Sequence, residues 1–430
     1  MFGFQVAGFR TPDSERHIPL TSPAHKSTSV RRRKPLDAGL AFRNAFGYSP
    51  TVITRAPGRL ELLGNSADYN QGLAMAVAID RSVWVAISPR VDGQIELASS
   101  AFRTRDKFWL TSFEFNPSAP WTAFMKGVLD RLRKHGVNFS GFNACVFSDI
   151  PRGSGLGSSS ALTVATALAV RELYPWRVTS TGVMRPPTRT KGKLPKLGTK
   201  EALQVARFCQ EAETEFASTN CNLLDPIVAL RGKEFHVVSV DFHHHSVEQI
   251  PLIDDVAFVV CETGVPRRSD ARDHRELRQH CVSAARTLRA RSLRSVEPRY
   301  LSLRRKRLTQ REYDCAYHIV GENQRVAFAD RALREGDIAQ FGQYLLQSHD
   351  SCRDFFGNSS RELDLLVQLA RAHPACLGAR LAGSGFGGAT VNLIKFSQLE
   401  DFTSSISALY EKLTGRTIEP MFCRIVNGAE

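Results

Sequence analysis

Residues 151–160 read Pro-Arg-Gly-Ser-Gly-Leu-Gly-Ser-Ser-Ser, and the stretches on either side make this the segment that decides the fold. FNACVFSDI (142–150), before it, predicts a β-strand, and ALTVATALAVRELY (161–174), after it, predicts a helix. Three glycines at alternate positions let the backbone turn tightly and approach a ligand closely. The helix behind them directs unpaired N–H groups and a positive dipole end at the loop, which is a geometry that binds phosphate.

We call residues 153–160 the phosphate loop. Its serines add hydroxyl groups for phosphate oxygens or for Mg²⁺. It is not a Walker A loop, because no lysine follows the glycines in the spacing G-x-x-x-x-G-K-[ST]. The alternative is an ordinary Gly/Ser linker with a serine N-cap. The residues that we predict to contact phosphate are Gly153, Ser154, Gly155, Leu156, Gly157, Ser158, Ser159 and Ser160.

A second glycine-rich motif occupies residues 383–388, Gly-Ser-Gly-Phe-Gly-Gly. It contains G-x-G-x-x-G, but a dinucleotide-binding fingerprint needs a helix after it, and here the strand-like ATVNLI follows. The dinucleotide hypothesis therefore fails. A loop placed against a ligand, or simply a tight turn, remains. The glycines that we place near the active site are Gly383, Gly385, Gly387 and Gly388.

The third motif is GRLELLGNSADYNQG, residues 58–72. An arginine in a strand, Arg59, and a carboxylate in the following turn, Asp68, suit a polyhydroxyl ligand, because carboxylates accept hydrogen bonds from vicinal hydroxyls and arginine stabilises anionic charge. For Asp68 taken alone, an Asx-turn is the competing interpretation.

Length and composition limit the class of protein. At 430 residues the chain has room for two or three domains, and 42% hydrophobic residues suffice for a core. No apolar run is long enough for a transmembrane helix, so no membrane partner is expected. Nine scattered cysteines without a C-x-x-C pair favour a reduced, cytoplasmic protein.

The formal net charge of +14 is concentrated in three segments. Residues 1–35 carry seven Lys/Arg against two acids, residues 176–200 carry seven against none, and residues 286–311 carry ten against one. The first predicts a flexible tail, the second a loop insertion, and the third a solvated helical face. A polyanion-binding patch is the alternative. Nucleic acid is an improbable partner, because no nucleic-acid-binding motif accompanies the charge.

Together, the three motifs in this order and spacing resemble the GHMP small-molecule kinases, a superfamily that includes galactokinase, homoserine kinase, mevalonate kinase and phosphomevalonate kinase. Within it the sequence is most similar to the galactokinases, on segments such as RAPGRLELLGNSADYNQG, PWTAFMKGV, AETEFAST-NCNLLD and RLAGSGFGGATV. The resemblance covers about residues 38–430 and implies an α+β fold of two lobes, the first like ribosomal protein S5 domain 2. The implied division is a basic tail (1–36), an N-terminal lobe (37–230) with a basic insertion (176–199), and an α+β C-terminal lobe (231–430).

The resemblance also implies a reaction, the transfer of the γ-phosphoryl of ATP, with Mg²⁺, to a sugar hydroxyl, in galactokinases the anomeric one. Asp225 matches the aspartate regarded as the base, and Arg59 the arginine that orients it. Ser159 and Glu213 match the Mg²⁺ ligands. Trp121 matches an aromatic residue beside the adenine. The competing interpretations are a solvated helix face for Glu213, a helix end for Asp225 before Pro226, and core packing for Trp121.

Departures from the family pattern cluster at the sugar. Where galactokinases usually read G-E-H-T-D-Y, this chain has Asn65 and Ser66 in place of the glutamate and histidine that touch the sugar. Asn222 replaces the glycine before the catalytic aspartate, and His274 falls where the family has a sugar-binding tyrosine. With Asp68, these form the predicted substrate-binding set.

The expected substrate is therefore galactose or a related sugar, bound by a monomer. The alternatives are a kinase for an N-acetylhexosamine, a uronic acid or a pentose, and a non-catalytic sensor that binds ATP and sugar.

Overall fold

The computed structural model describes residues 28–178, 184–185, 194–219, 221–252, 255–266 and 271–430 of the chain. In these ranges the α-helices are α1 (Thr28–Phe46), α2 (Thr122–Lys134), α3 (Ser158–Leu173), α4 (Thr199–Glu211), α5 (Leu224–Arg231), α6 (Ala271–Thr287), α7 (Pro298–Leu303), α8 (Gln310–Glu335), α9 (Ile338–Ser351), α10 (Arg361–Ala372) and α11 (Leu399–Thr414). The strands are β1 (Val52–Leu63), β2 (Leu73–Pro89), β3 (Gln94–Ser99), β4 (Arg105–Trp109), β5 (Phe142–Ser148), β6 (Arg177–Val178), β7 (Met184–Arg185), β8 (His236–Asp241), β9 (Ser246–Pro251), β10 (Val256–Glu262), β11 (Cys376–Leu381), β12 (Ala389–Lys395) and β13 (Met421–Cys423).

The first lobe is built on a sheet in the order β4-β3-β5-β2-β8-β9, with β1 paired to β2. The 17 residues of β2 are long enough for several partners: its first half pairs with β8, its second half with β5, and β1 runs antiparallel along its length. Helix α3 packs on β1 and β2, and the apolar side chains between them form the main core. The phosphate loop therefore leaves β5 and enters α3 at the edge of this core.

The second lobe is an antiparallel sheet in the order β11-β12-β10-β13, covered by α9, α10 and α11. Its loop at residues 383–388 joins β11 to the antiparallel strand β12, so a strand follows the glycines as the sequence predicted. The prediction of an α+β chain with two lobes is confirmed.

Local sequence signals set several helix ends. Thr309 and Glu312 form a capping box at the start of α8, which ends at Gly336 with a φ of +76°. This glycine in the left-handed conformation ends the helix, and Asp337 caps the start of the next one. Helix α2 is likewise followed by Gly136, whose φ is +83°.

Residues 425–430 return from the second lobe to the first. The amide of Val426 donates to the carbonyl of Ala78 at 3.0 Å, and Gly428 donates to Gly232 at 2.8 Å. Glu430 and Arg55 exchange both backbone hydrogen bonds, at 2.6 and 2.9 Å. The end of the sequence thus adds a further partner to the edge of β1.

The predicted domain limits stay predictions, and the structure adds three observations. Strands β8 and β9 follow residue 230 but belong to the first sheet. Helix α1 begins at Thr28, inside the segment predicted as a tail, and its buried Phe42 packs against Ala86 and Cys145 on the outside of the sheet. Residues 1–27 and most of the insertion lie outside the described residues.

The third basic segment, residues 286–311, consists of the end of α6, helix α7 and short helical turns. Its leucines at 288, 293, 301 and 308 are buried, whereas most of its cationic side chains are exposed. None of the helices in the described part of the chain is both long and apolar enough to cross a membrane.

Candidate active site

A buried ion pair joins the first two predicted catalytic residues. Arg59 on β1 donates from Nε to Oδ1 of Asp225 at 2.8 Å and from Nη2 to Oδ2 at 2.6 Å. Asp225 lies in the first turn of α5, where the following Pro226 is tolerated because no helical N–H is lost there. The bidentate pair fixes the carboxylate in one orientation, and the competing interpretation, in which Asp225 ends a helix, is wrong.

The phosphate loop packs directly on this pair. Arg59 donates its backbone N–H to the carbonyl of Leu156 at 2.9 Å and its Nη1 to the carbonyl of Gly155. A Cβ on Gly157 would lie 3.3 Å from Cγ of Arg59 and 3.4 Å from Oδ2 of Asp225, and its φ is +75°. Glycine is therefore favoured here by the backbone conformation, and the ion pair leaves little room for a side chain.

The strand-loop-helix order predicted around the phosphate loop is confirmed, and Gly153 and Gly155 also have positive φ. No side chain caps the start of α3, so its first-turn N–H groups face the loop for a ligand. Ser154 turns inward instead, donating to the carbonyl of Pro151 at 2.8 Å. Ser158 is exposed, and the hydroxyls of the two following serines face Glu213.

Glu213 is enclosed, unlike its neighbours on the same helical stretch. It is 1% exposed, whereas the side chains of Glu211 and Glu215 are 40% and 57% exposed and lie near Arg131. A π-helical turn at Ala212–Phe216 rotates Glu213 inward. The solvated-face interpretation of Glu213 is therefore wrong.

Oxygen atoms surround the Glu213 carboxylate. The hydroxyl of Ser160 donates to its Oε1 at 2.7 Å. Burial raises the pKa of Glu213, and hydrogen bonds from Ser159 and Ser160 oppose the shift only in part. Among the described residues no cationic side chain pairs with it, so a bound cation would relieve the cost of its ionisation.

Trp121 lies at the start of α2, next to the first residues of the phosphate loop. Its indole N–H donates to Thr104 at 3.0 Å, and its ring lies parallel to that of Phe102, 6.1 Å away between centroids. The guanidinium of Arg152 lies 4.1 Å from the centroid of the Phe102 ring. Trp121 is only 6% exposed, whereas Phe102 is 47% exposed, so the aromatic surface available to a base belongs mainly to Phe102.

A cavity of about 530 Å³ opens beside the ion pair. Its lining contains all five predicted substrate-binding residues, which come from both lobes: Asn65, Ser66, Asp68, Asn222 and His274. It is also large enough for a monosaccharide with room to spare. The structure therefore brings together residues that are as much as 209 positions apart in the sequence.

Asp68 begins a short helical turn, Asp68–Asn70, at one wall of this cavity. Burial raises its pKa to about 6, although the backbone N–H of Tyr69 and the positive charge of Arg278 oppose the shift. Asn222 supports the neighbouring ion pair, since its Oδ1 accepts the backbone N–H of Asp225 at 3.0 Å.

Asn65 lines the cavity but is fully engaged with the protein. Its Nδ2 donates to Oε1 of Glu61 at 3.0 Å and to the carbonyl of Gly383 at 2.7 Å. Its Oδ1 accepts from Asn358 at 3.0 Å and from Ser66 at 3.5 Å. An amide has two donors and two acceptor sites, and all four are occupied.

The second glycine loop, residues 383–388, lies against this network, and its Ser384 lines the cavity. A Cβ on Gly385 would lie 2.1 Å from the carbonyl of Asn358, and that carbonyl also accepts the N–H of Phe386 at 2.6 Å. Gly387 and Gly388 have positive φ as well. The ring of Phe386 meets His274 edge to face at 5.1 Å.

Sequence reasoning missed several residues that line the cavity, among them Glu61, Gln71, His245, Arg275 and Arg278. Glu61 had a local signal, because it lies two residues after Arg59 on one strand and therefore projects from the same face. Gln71 also had a local signal, since it belongs to the third motif and lies three residues after Asp68. His245 reaches the cavity from the β8–β9 turn, and Arg275 and Arg278 from α6, where no local pattern places them.

Three family models match this chain. The galactokinase galactose-binding signature matches residues 40–89, the GHMP kinase N-terminal domain residues 123–233, and the GHMP kinase C-terminal domain residues 330–412. A galactokinase of Chloroflexus aggregans is 34% identical over 388 residues, covering 89% of this chain and 94% of that protein. The human galactokinase is 34% identical over 369 residues, 84% of this chain and 88% of that protein.

This chain belongs to the galactokinase family. The resemblance predicted from the three motifs is thereby confirmed, and the family makes the chain a sugar kinase, a phosphotransferase that uses an alcohol as acceptor. A solved structure of Lactococcus lactis galactokinase in complex with galactose has the same fold, with a TM-score of 0.82, 23% identity and coverage of 92% of this chain and 99% of that one.

Proposed function

We propose that this galactokinase-family chain transfers the γ-phosphoryl group of Mg·ATP to the anomeric hydroxyl of galactose or a close relative. The observation that carries the proposal is the Arg59–Asp225 pair, which packs on the phosphate loop and whose chain neighbours Glu61 and Leu224 line the cavity. The names of the similar proteins and the galactose in the related Lactococcus structure support the choice of sugar.

In the proposed reaction, Asp225 accepts the proton of the sugar hydroxyl while the oxygen of that hydroxyl forms a bond to the γ-phosphorus. The bond from that phosphorus to the bridging oxygen breaks, and ADP leaves with the electron pair. Arg59 holds the carboxylate in position and stabilises the developing negative charge. Phosphoryl transfer needs mainly such positioning and charge neutralisation.

The phosphate loop would hold the triphosphate with its backbone N–H groups and those at the start of α3. Trp121 and the exposed ring of Phe102 would provide the surface beside the adenine. Arg152, stacked on Phe102, adds a positive charge at the same end of the loop.

The residues that would hold Mg²⁺ are Ser159 and Glu213. Hydroxyl and carboxylate oxygens are donors that a hard cation prefers, and the enclosed Glu213 has no cationic partner among the described residues to stabilise its ionised form. They fit a single ion shared with the phosphates. When bound, Mg²⁺ neutralises charge on the transferring phosphoryl group.

A uronic acid is the second candidate substrate. Arg275 and Arg278 line the cavity from α6, and the positive charge of Arg278 acts on the Asp68 carboxylate in the same cavity. A paired arginine fork is suited to a carboxylate. A binding protein without turnover remains the alternative from another class, and the intact Arg59–Asp225 pair argues against it.

The experiment is a coupled assay of ADP release over a panel of free sugars: galactose, N-acetylgalactosamine, galacturonic acid and arabinose. We expect galactose to give the highest kcat/KM, and Asp225→Ala to abolish turnover while ATP binding persists. Turnover of galacturonic acid above galactose would select the second candidate. If no sugar raises ADP release, the proposal is overturned.

A further inference from the structure

On the sugar side of the site, this chain lacks a carboxylate that galactokinases usually have. It has a different carboxylate, at a position where the family pattern does not predict one. Galactokinases usually have a glutamate that touches the sugar at the position of Asn65. Here the Asn65 amide has no hydrogen-bonding capacity left for a ligand, because Glu61, Gly383, Asn358 and Ser66 use all of it.

Glu61 is the group in that network with unused capacity. Its side chain is 3% exposed and lines the cavity. Both of its close polar contacts involve Oε1, which accepts from Asn65 at 3.0 Å and lies 3.7 Å from Nη1 of Arg380. Among the described residues, no donor lies within hydrogen-bonding distance of Oε2.

The surroundings hold this carboxylate in one orientation. Arg380 is completely buried and donates to the carbonyl of Leu62 at 2.9 Å, so it is a fixed positive charge behind Oε1. Asn65 is fixed in turn by Asn358, which also donates to the carbonyl of Ser384 on the cavity wall. These contacts turn one oxygen of Glu61 toward the protein and leave the other toward the cavity.

The position along β1 relates Glu61 to the reacting groups. Arg59 and Glu61 are two residues apart on one strand, which places their side chains on the same face about 7 Å apart. Burial raises the pKa of Glu61, while the charges of Arg380 and Arg59 lower it. A sugar whose reacting hydroxyl meets Asp225 therefore has a second hydroxyl within reach of this carboxylate.

We propose that Glu61 binds a hydroxyl of the sugar through Oε2 and determines specificity, in place of the glutamate that the family usually carries at position 65. The inference rests on the proposed sugar kinase function and adds a residue to it. Asn65, Asn358 and Arg380 are positioning residues that act through Glu61.

The first test is the isosteric variant Glu61→Gln, measured with galactose and with its 2-, 3-, 4- and 6-deoxy analogues. A hydrogen bond to a charged group predicts a rise of about 10- to 100-fold in the KM for galactose, with the KM for ATP unchanged. The decisive readout is non-additivity: one deoxy analogue, lacking the bound hydroxyl, should show almost no difference between the wild type and Glu61→Gln.

The matched control is Glu96→Gln. Glu96 lies on β3, away from the cavity, and pairs with Arg105 at 2.9 Å, so the change removes an arginine-paired carboxylate without touching the site. It should leave every KM unchanged. Glu61→Asp keeps the charge but moves it back by one methylene, and it should show the same non-additivity. This variant replaces Glu61→Gln in the test if the glutamine variant does not fold.

Two outcomes overturn the inference: an unchanged galactose KM in Glu61→Gln, or an equal loss for galactose and every deoxy analogue, which would indicate a structural role. The proposed function is tested separately by wild-type turnover. If the wild type releases no ADP, calorimetric binding of the same sugars to the same variants still decides whether Glu61 contacts a hydroxyl. A wild type that binds none of these sugars would overturn both.

Discussion

The two halves of the candidate active site are built in different ways. The phosphate half, comprising the phosphate loop, Arg59, Asp225 and Glu213, comes entirely from the first lobe and is held by short, direct contacts. The sugar half draws Asn65 and Asp68 from the first lobe and His274, Asn358 and Ser384 from the second. The first lobe alone can therefore hold the groups that position the phosphoryl transfer, while the lining of the sugar cavity depends on contacts between the two lobes. The departures from the family pattern lie in that lining.

The strongest way to break the phosphate half is Asp225→Asn. We expect kcat to fall by about 10²- to 10⁴-fold through loss of the proton acceptor, with the KM for ATP little changed. Loss of the carboxylate also leaves Arg59 buried without its partner charge, so the free energy of unfolding should fall by about 3–5 kcal/mol. Steady-state kinetics and thermal unfolding measure the two effects.

Lys126→Met controls for the stability loss. It breaks another buried ion pair, between Lys126 and Asp106 at 2.7 Å, outside the phosphate loop and the cavity. It should lower the melting temperature and leave kcat near the wild-type value below that temperature. An Asp225→Asn enzyme with wild-type kcat would exclude Asp225 as the base.

A second change, Glu213→Gln, tests the cation role within the phosphate half. We expect the Mg²⁺ concentration for half-maximal activity to rise about 10- to 100-fold, because a ligand or its supporting partner is lost. Galactose binding without nucleotide should not change. Titration of activity with MgCl₂ at fixed ATP measures the shift.

Glu215→Gln is the matched control, since Glu215 lies two residues away, is 57% exposed and pairs with Arg131. It should have a wild-type Mg²⁺ requirement. Equal Mg²⁺ curves for both variants would remove Glu213 from the metal site.

On the sugar half, Asp68 predicts a pH dependence. With a pKa of about 6, it loses its charge as the pH falls below that value, so the KM for galactose should rise by about tenfold between pH 7 and pH 5. Asp68→Asn should remove this limb of the pH profile. A wild-type KM that is flat over this range would contradict the assignment of Asp68 to the sugar.

The raised pKa of Asp68 also makes the stability of the fold depend on pH, in the direction opposite to its effect on sugar binding. The pKa of Asp68 is raised in the folded state above its ordinary 3.8. The protonated carboxyl therefore contributes to the free energy of unfolding fully at pH below 3.8, and this contribution is lost as the pH rises through about 6. At pH 8, Asp68→Asn should therefore melt at a higher temperature than the wild type, and the difference should shrink near pH 4.

The smallest expected effect comes from alanine substitutions in the phosphate loop, which separate the cost of backbone strain from the cost of a contact with the ion pair. Gly153 and Gly157 have φ values of +73° and +75°, but a Cβ meets the ion pair only at Gly157. Both alanine variants should lose about 1–2 kcal/mol in the free energy of unfolding from the left-handed backbone. Only Gly157→Ala should also lower kcat, by a few fold, and identical kinetics in the two variants would show that the contact is unimportant.

The parts of the fold and site that the sequence predicts are those with local signals. Gly153, Gly155 and Gly157 between a strand pattern and a helix pattern are enough to predict a phosphate loop. The placement of Glu213 needed the family resemblance, since three glutamates at alternate positions look alike and only the π-helical turn separates them. Fold class and kinase family followed from the order of the motifs.

What the sequence did not reveal depends on contacts between distant residues. Asn65 meets Asn358, 293 residues away, and that contact commits its amide to the protein. Strand β8 pairs back to β2 and β9 pairs with β8, which no local pattern predicts. The arginine run and Pro35 made the start of α1 resemble a tail, although its later residues, such as Phe42, are buried on the sheet.

The return of residues 425–430 to the first lobe gives this fold contacts of very large sequence separation. Arg55 and Ala78 take as backbone partners Glu430 and Val426, which lie 375 and 348 positions later in the sequence. Contacts between residues so far apart cost more loop-closure entropy than local ones. We therefore expect the edge of β1 to be paired later in folding than the strand contacts that are local in sequence.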